Sequence, residues 1–80
     1  DIPEATISRS VAQQGTIDGV ALLTATGLAT SRGDARRLIT QGALLVDRER
    51  ITDPLARIAI TKPIIVQCGK RRFRRVKLES

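Results

Sequence analysis

The hydrophobic period changes once along this chain, at Gly42, and that change fixes the class of fold. Before Gly42, the apolar residues Ala35, Leu38 and Ile39 recur at i, i+3 and i+4, which is one stripe of a helix. Ser31 opens this helix as its N-cap, and Asp34 completes a Ser-x-x-Asp capping box. After Gly42 the apolar residues come in short runs and alternations: 44–46, Ile58 and Ile60 around Ala59, 64–66, and 73–78. These are strand signals. Turns separate them: a polar segment at 47–50 before Ile51, then Asp53-Pro54, Lys62-Pro63 and Gly69-Lys70. An earlier helix is predicted over roughly 17–26. Thr16 is its N-cap, Asp18 lies in the first turn, and Val20, Leu23 and, more laterally, Leu22 give the apolar face. Gly27 fits a left-handed stop, with Leu28 packing back over the last turn. Two helices joined by a few residues make a tight αα-hairpin. The expected fold is therefore α+β, a helical hairpin packed on a small, mostly antiparallel sheet. Residues 1–15 read as a partly disordered linker, because Ile2-Pro3 favours extended backbone and the next stretch is polar without a period. Residues 16–80 read as the single domain.

Eighty residues bury only about 60–65% of the surface the unfolded chain exposes, so the core is modest. The lone Cys68 cannot pair within the chain, and a single cysteine fits a reducing, cytoplasmic setting better than secretion. No run of about 18 apolar residues exists to span a membrane, and no signal-peptide pattern opens the chain. There is no methionine. A chain that opens at Asp1 without an initiator is expected to be part of a longer one, with the remainder upstream.

Lys and Arg number 14 against 8 Asp and Glu, a net charge of +6. That balance favours polyanions, nucleic acid first and anionic membrane second. Lys70, Arg71, Arg72, Arg74, Arg75 and Lys77 place six cations within eight residues. His, Trp and Tyr are absent and Phe73 is the only aromatic. Modules that stack several bases on several rings are thereby excluded, which leaves phosphate contacts, shape and flat guanidinium groups.

The second helix carries Arg32, Arg36 and Arg37, and the last two project away from the apolar stripe. Arg32 sits at the helix N-terminus, where the dipole disfavours a cation. Arg32 and Arg36 are like charges at i, i+4, a cost of about 0.2–0.5 kcal/mol. Cations held at unfavourable places point to an external anion. The plainer alternative is that Arg37 pairs with Asp34 and the other two are solvated. On the terminal strand Val76 and Leu78 share one face, and Arg75 and Lys77 the other. Phe73 falls on the Arg75 face by strict counting, so either a bulge shifts the register or Phe73 covers a separate apolar edge. Solubility and protection of a strand edge are the plainer reading of the cation cluster. Catalysis has little support. There is no His, no paired Cys, no Gly-rich phosphate loop and no metal-ligand cluster, so no cofactor is expected. Lys70 and Arg71 could lower the thiol pKa of Cys68, but no general base stands by, and a half-buried strand cysteine is the better reading.

The segment from Gly27 to Ile39, Gly-Leu-Ala-Thr-Ser-Arg-Gly-Asp-Ala-Arg-Arg-Leu-Ile, resembles the helical hairpin of the ribosomal S-four RNA-binding superfamily. Gln41-Gly42 and the apolar strand after it continue the match. Asp1-Ile2-Pro3-Glu4 looks like the linker that follows the catalytic part of bacterial tyrosyl-tRNA synthetases. Gly69-Lys70-Arg71-Arg72-Phe73-Arg74-Arg75-Val76-Lys77-Leu78 looks like their C-terminal ending. The resemblance covers roughly residues 16–78. It implies a domain that grips tyrosine tRNA near the anticodon arm and the long variable arm. An absent upstream domain would use ATP to ligate tyrosine to the tRNA. By residue match it places RNA contact on Arg32, Arg36, Arg37, Lys70, Arg71, Arg72, Arg74 and Arg75. The isolated domain is expected to be monomeric and the longer enzyme a homodimer, with no membrane partner. Two departures stand out. Ala43-Leu44 replaces the family's Gly-Val, and Asp47-Arg48 replaces its Asn-Gly turn. Arg48 costs more than Gly if that turn needs positive φ, and it would add charge near the RNA. Two alternatives remain. One is an rRNA- or ribosome-directed module of another superfamily member, such as a pseudouridine synthase. The other, outside RNA binding, is a protein–protein or anionic-membrane docking domain.

Overall fold

The computed structural model describes residues 2–79. Its elements are β1 Glu4–Ile7, β2 Thr16–Asp18, α1 Gly19–Ala25, α2 Arg32–Thr40, β3 Leu44–Val46, β4 Glu49–Ile51, β5 Arg57–Ala59, β6 Ile64–Cys68 and β7 Arg72–Leu78. Five strands form one sheet in the order β1-β7-β6-β3-β4, and β2 pairs with β5 in a second, two-stranded sheet. All pairings are antiparallel except β1 with β7. The α+β expectation, a helical hairpin on a mostly antiparallel sheet, holds.

The helical hairpin follows from local chemistry. The Ser31 hydroxyl accepts the Asp34 N–H at 3.0 Å and starts α2. The reciprocal half of the capping box is displaced by one residue, since the Asp34 carboxylate accepts from the Thr30 N–H at 3.2 Å. Both helices end on a glycine at positive φ, Gly27 at 78° and Gly42 at 77°. In α1 the Leu28 N–H donates to the Leu23 carbonyl and the Gly27 N–H to that of Thr24; in α2 the Ala43 N–H donates to Leu38 and the Gly42 N–H to Ile39. This is the Schellman arrangement, which satisfies the last carbonyls of each helix.

Two expectations require correction. The first helix starts later than predicted. Its N-cap is Asp18, whose Oδ1 accepts the Ala21 N–H at 2.8 Å, rather than Thr16. Thr16 and Ile17 are instead drawn into β2, opposite Ala59 and Ile58. The stretch read as a linker contributes β1, with Ile7 paired to Leu78 and buried in the core. Ala12 is buried as well. Long-range pairing supplies what the local pattern lacks.

The core lies between the helices and one face of the large sheet. Val20, Leu22, Leu23, Leu28, Ala35 and Ile39 come from the helical side, and Ile7, Leu44, Ile64, Val66, Cys68 and Val76 from the sheet. Gly19 permits the closest approach. A methyl group placed there would lie 2.9 Å from the Cδ1 of Ile39 and 3.2 Å from the Cδ2 of Leu44. The pairing of β6 with β7 runs without a bulge from Ile64–Val76 to Cys68–Arg72. Strict alternation therefore stands, and Phe73 covers an apolar area on the outer face of the sheet, away from the helices.

Candidate nucleic-acid interface

The register sorts the basic residues of β7 onto two faces. Arg72 and Arg74 have the parity of core-facing Val76, whereas Arg75 and Lys77 share the outer face with Phe73. Beyond the core, the Arg72 side chain extends along the helix side and its guanidinium donates to the Gly27 carbonyl at 3.1 Å. That bond fastens the start of β7 to the turn between the helices. Lys70 and Arg71 project, exposed, from the β6–β7 turn beside it. Arg74 is half-buried and donates to the Phe73 carbonyl at 2.8 Å.

On α2, Arg32, Arg36 and Arg37 are all exposed. Arg37 pairs with Asp34, as the plainer reading anticipated. No carboxylate among the described residues forms an ion pair with Arg32, Arg36, Lys70, Arg71, Arg72 or Arg75. The Cys68 thiol is buried between these elements. Burial pushes its pKa up, the nearby Arg72 guanidinium opposes that, and the Asp34 carboxylate of α2 reinforces it. A buried, neutral thiol is a packing residue, not a nucleophile.

Arg72 is thus tied to the turn that leads into α2, with Lys70 and Arg71 in the turn just before it. The structure does not bring Arg75 or Arg48 to that side. Arg75 is on the outer face, and Arg48 lines a cleft there with Phe73. Sequence reasoning passed over Arg50, which is also exposed on the outer face, opposite Leu45. Alternation back from the half-buried Ile51 was the available signal.

Asp34 holds this corner in place. The Thr30 N–H, and then the Arg37 guanidinium, keep its carboxyl below the ordinary aspartate range. A lowered folded-state pKa gives a contribution present above the unfolded value and lost as pH falls through the folded one. The Asp34 carboxyl is thus expected to titrate below free aspartate by NMR. Asp34→Asn should remove that acid limb from the unfolding profile. An unshifted titration would show the cap and ion pair to be ineffective in solution.

A family model described as the tyrosine–tRNA ligase SYY-like C-terminal domain matches residues 1–76. The chain belongs to this family. The tyrosine–tRNA ligase of Symbiobacterium thermophilum is 38% identical over 79 residues, covering 99% of this chain and 19% of the relative. The ligase of Moorella thermoacetica is 46% identical over 55 residues, 69% of this chain and 13% of its own length. That of Syntrophotalea carbinolica is 48% identical over 56 residues, 70% of this chain and 14% of the relative. The chain thus spans less than a fifth of the length of these relatives, and the match is to their C-terminal part only. No helix among its described residues is long and apolar enough to cross a membrane.

Proposed function

We propose that this domain docks tyrosine tRNA for a cytoplasmic, homodimeric ligase whose upstream part uses ATP to join tyrosine to that tRNA. Family membership supports the tRNA, and one bond supports the surface: Arg72 to the Gly27 carbonyl, which sets the Lys70–Arg71 turn against the helical hairpin. On this reading Arg32, Arg36, Lys70 and Arg71 meet phosphates of the anticodon and variable-arm region. Arg37 and Arg72 divide their donors between the fold and the RNA. Arg74, Arg75 and Arg48 reach the ligand from the margin and the outer face. The RNA is recognised by backbone and shape rather than by base edges in a helix, because A-form grooves offer side chains little sequence to read.

Arg36→Ala combined with Arg71→Ala tests the arrangement. Both side chains are exposed and unpaired by any carboxylate among the described residues, so folding should be unaffected. Binding to a tyrosine tRNA transcript should weaken, and the salt dependence should fall by about two phosphate contacts. Unchanged affinity in a folded double variant would remove the helix and the turn from the interface.

A further inference from the structure

The outer face of the five-stranded sheet carries a cleft of about 420 Å³ lined by Ile2, Asp47, Arg48, Ile65, Gln67 and Phe73. Gln67 stands opposite Phe73 and Ile65 opposite Arg75, all with parity opposite to core-facing Val66 and Val76. Two features of this cleft are not explained by folding. Phe73 is the chain's only aromatic residue, yet it lies outside the core and is half-buried. Arg48 occupies φ 72°, after Asp47 at 48°, in the two-residue turn between β3 and β4. This is the type I′ pattern, in which Gly is favoured at the second position and a residue with a Cβ is strained. Strain retained by a cation at the mouth of a cleft points to a use for that cation.

Two further polar side chains keep free hydrogen-bonding groups. The Asp47 Oδ1 accepts the Ile65 N–H at 2.9 Å, and its second oxygen has no partner among the described residues. The Gln67 amide donates to the Gly69 carbonyl at 2.9 Å, which leaves its second N–H free to donate and its carbonyl oxygen free to accept. A flat ring, a guanidinium lining the same cleft and free polar groups match one unpaired nucleotide. The base stacks, the phosphate meets the cation, and the base edge hydrogen-bonds to Gln67 and Asp47.

We propose that this cleft takes a single unpaired nucleobase of the bound RNA, stacked on Phe73 with its phosphate beside Arg48. The cleft and the helix-side cations would then contact the RNA separately, one reading an unstacked base and the other the backbone. The proposal rests on the RNA-docking reading above.

The test uses the wild-type chain, Phe73→Leu and Arg48→Gly, each titrated with a tyrosine tRNA transcript and with a fully paired RNA duplex. Thermal unfolding of each variant is measured alongside. Phe73→Leu is expected to bind the transcript about ten-fold more weakly, with duplex binding and salt slope unchanged. Arg48→Gly should raise the melting temperature while weakening transcript binding. Equal transcript affinity for wild type and Phe73→Leu, with steep salt dependence retained, overturns the cleft and leaves the docking surface standing. Equal loss on both RNAs also overturns it, since the cleft would then not discriminate unpaired bases. A wild-type chain that binds neither RNA ends the docking reading and the cleft together.

Discussion

Ile39→Ala is expected to lower stability by about 2–5 kcal/mol, against a total of about 4–12 kcal/mol for a domain of this length. The residue is fully buried and sits where α1, α2 and β3 meet, its Cδ1 facing Gly19 and close to Leu44. So small a core has few neighbours able to relax into the gap. For a domain of this size the melting temperature should fall by roughly 10–30 °C, readable by circular dichroism. The reverse substitution tests the same contact. Gly19→Ala puts a methyl 2.9 Å from Ile39, an overpacking cost of about 1–3 kcal/mol partly offset by alanine's helix preference. Combined, the new methyl occupies space the old side chain vacated, so the double variant should be more stable than the sum of the two losses implies. Strict additivity would mean that the two residues do not touch in solution.

Affinity for tRNA is expected to collapse with salt. If about four to six phosphates are neutralised, the logarithm of the binding constant should fall with the logarithm of salt at a slope of roughly −3 to −5. Raising salt from 50 to 200 mM should then weaken binding by about two to three orders of magnitude. The steepness follows from counterion release and so counts contacts rather than measuring strength. Arg32, Arg36, Lys70 and Arg71 form no ion pair among the described residues and are free to displace counterions. Arg37, already paired with Asp34, should contribute less. A slope near zero would mean that something other than phosphate holds the RNA.

Local chemistry explains which parts of this architecture were legible in the sequence. The second helix was, because Ser31, the apolar stripe and Gly42 all act within a few residues of one another. The beginning of the first helix was not. Thr16 is as good a cap as Asp18 on local grounds, and only pairing with Ala59, far along the chain, makes it a strand residue. The same holds for β1, whose partner β7 is some seventy residues away and whose only deeply buried member is Ile7. Alternation separated Arg75 from Val76 and placed Phe73 correctly. It could not show that Arg72 spans to Gly27, since that depends on where the helices settle. The cleft around Phe73 was hidden for a similar reason. Ile2, Arg48 and Gln67 are scattered in sequence, and only the sheet order assembles them.

Because β7 is flanked on both sides, the most cationic strand of the molecule is an interior one. Where the unit can be cut follows from this. A version trimmed to begin at residue 16 would strip away Glu4–Ile7, leave the N–H and C=O groups of β7 on that flank without partners, and vacate the place that Ile7 fills beside Leu78. Its exposed margin would be open to pairing with another molecule, with the charges of Arg75 and Lys77 the main deterrent. Transplanting this module into another protein therefore requires the graft to start no later than Pro3, whose carbonyl accepts the Arg75 N–H at 2.9 Å.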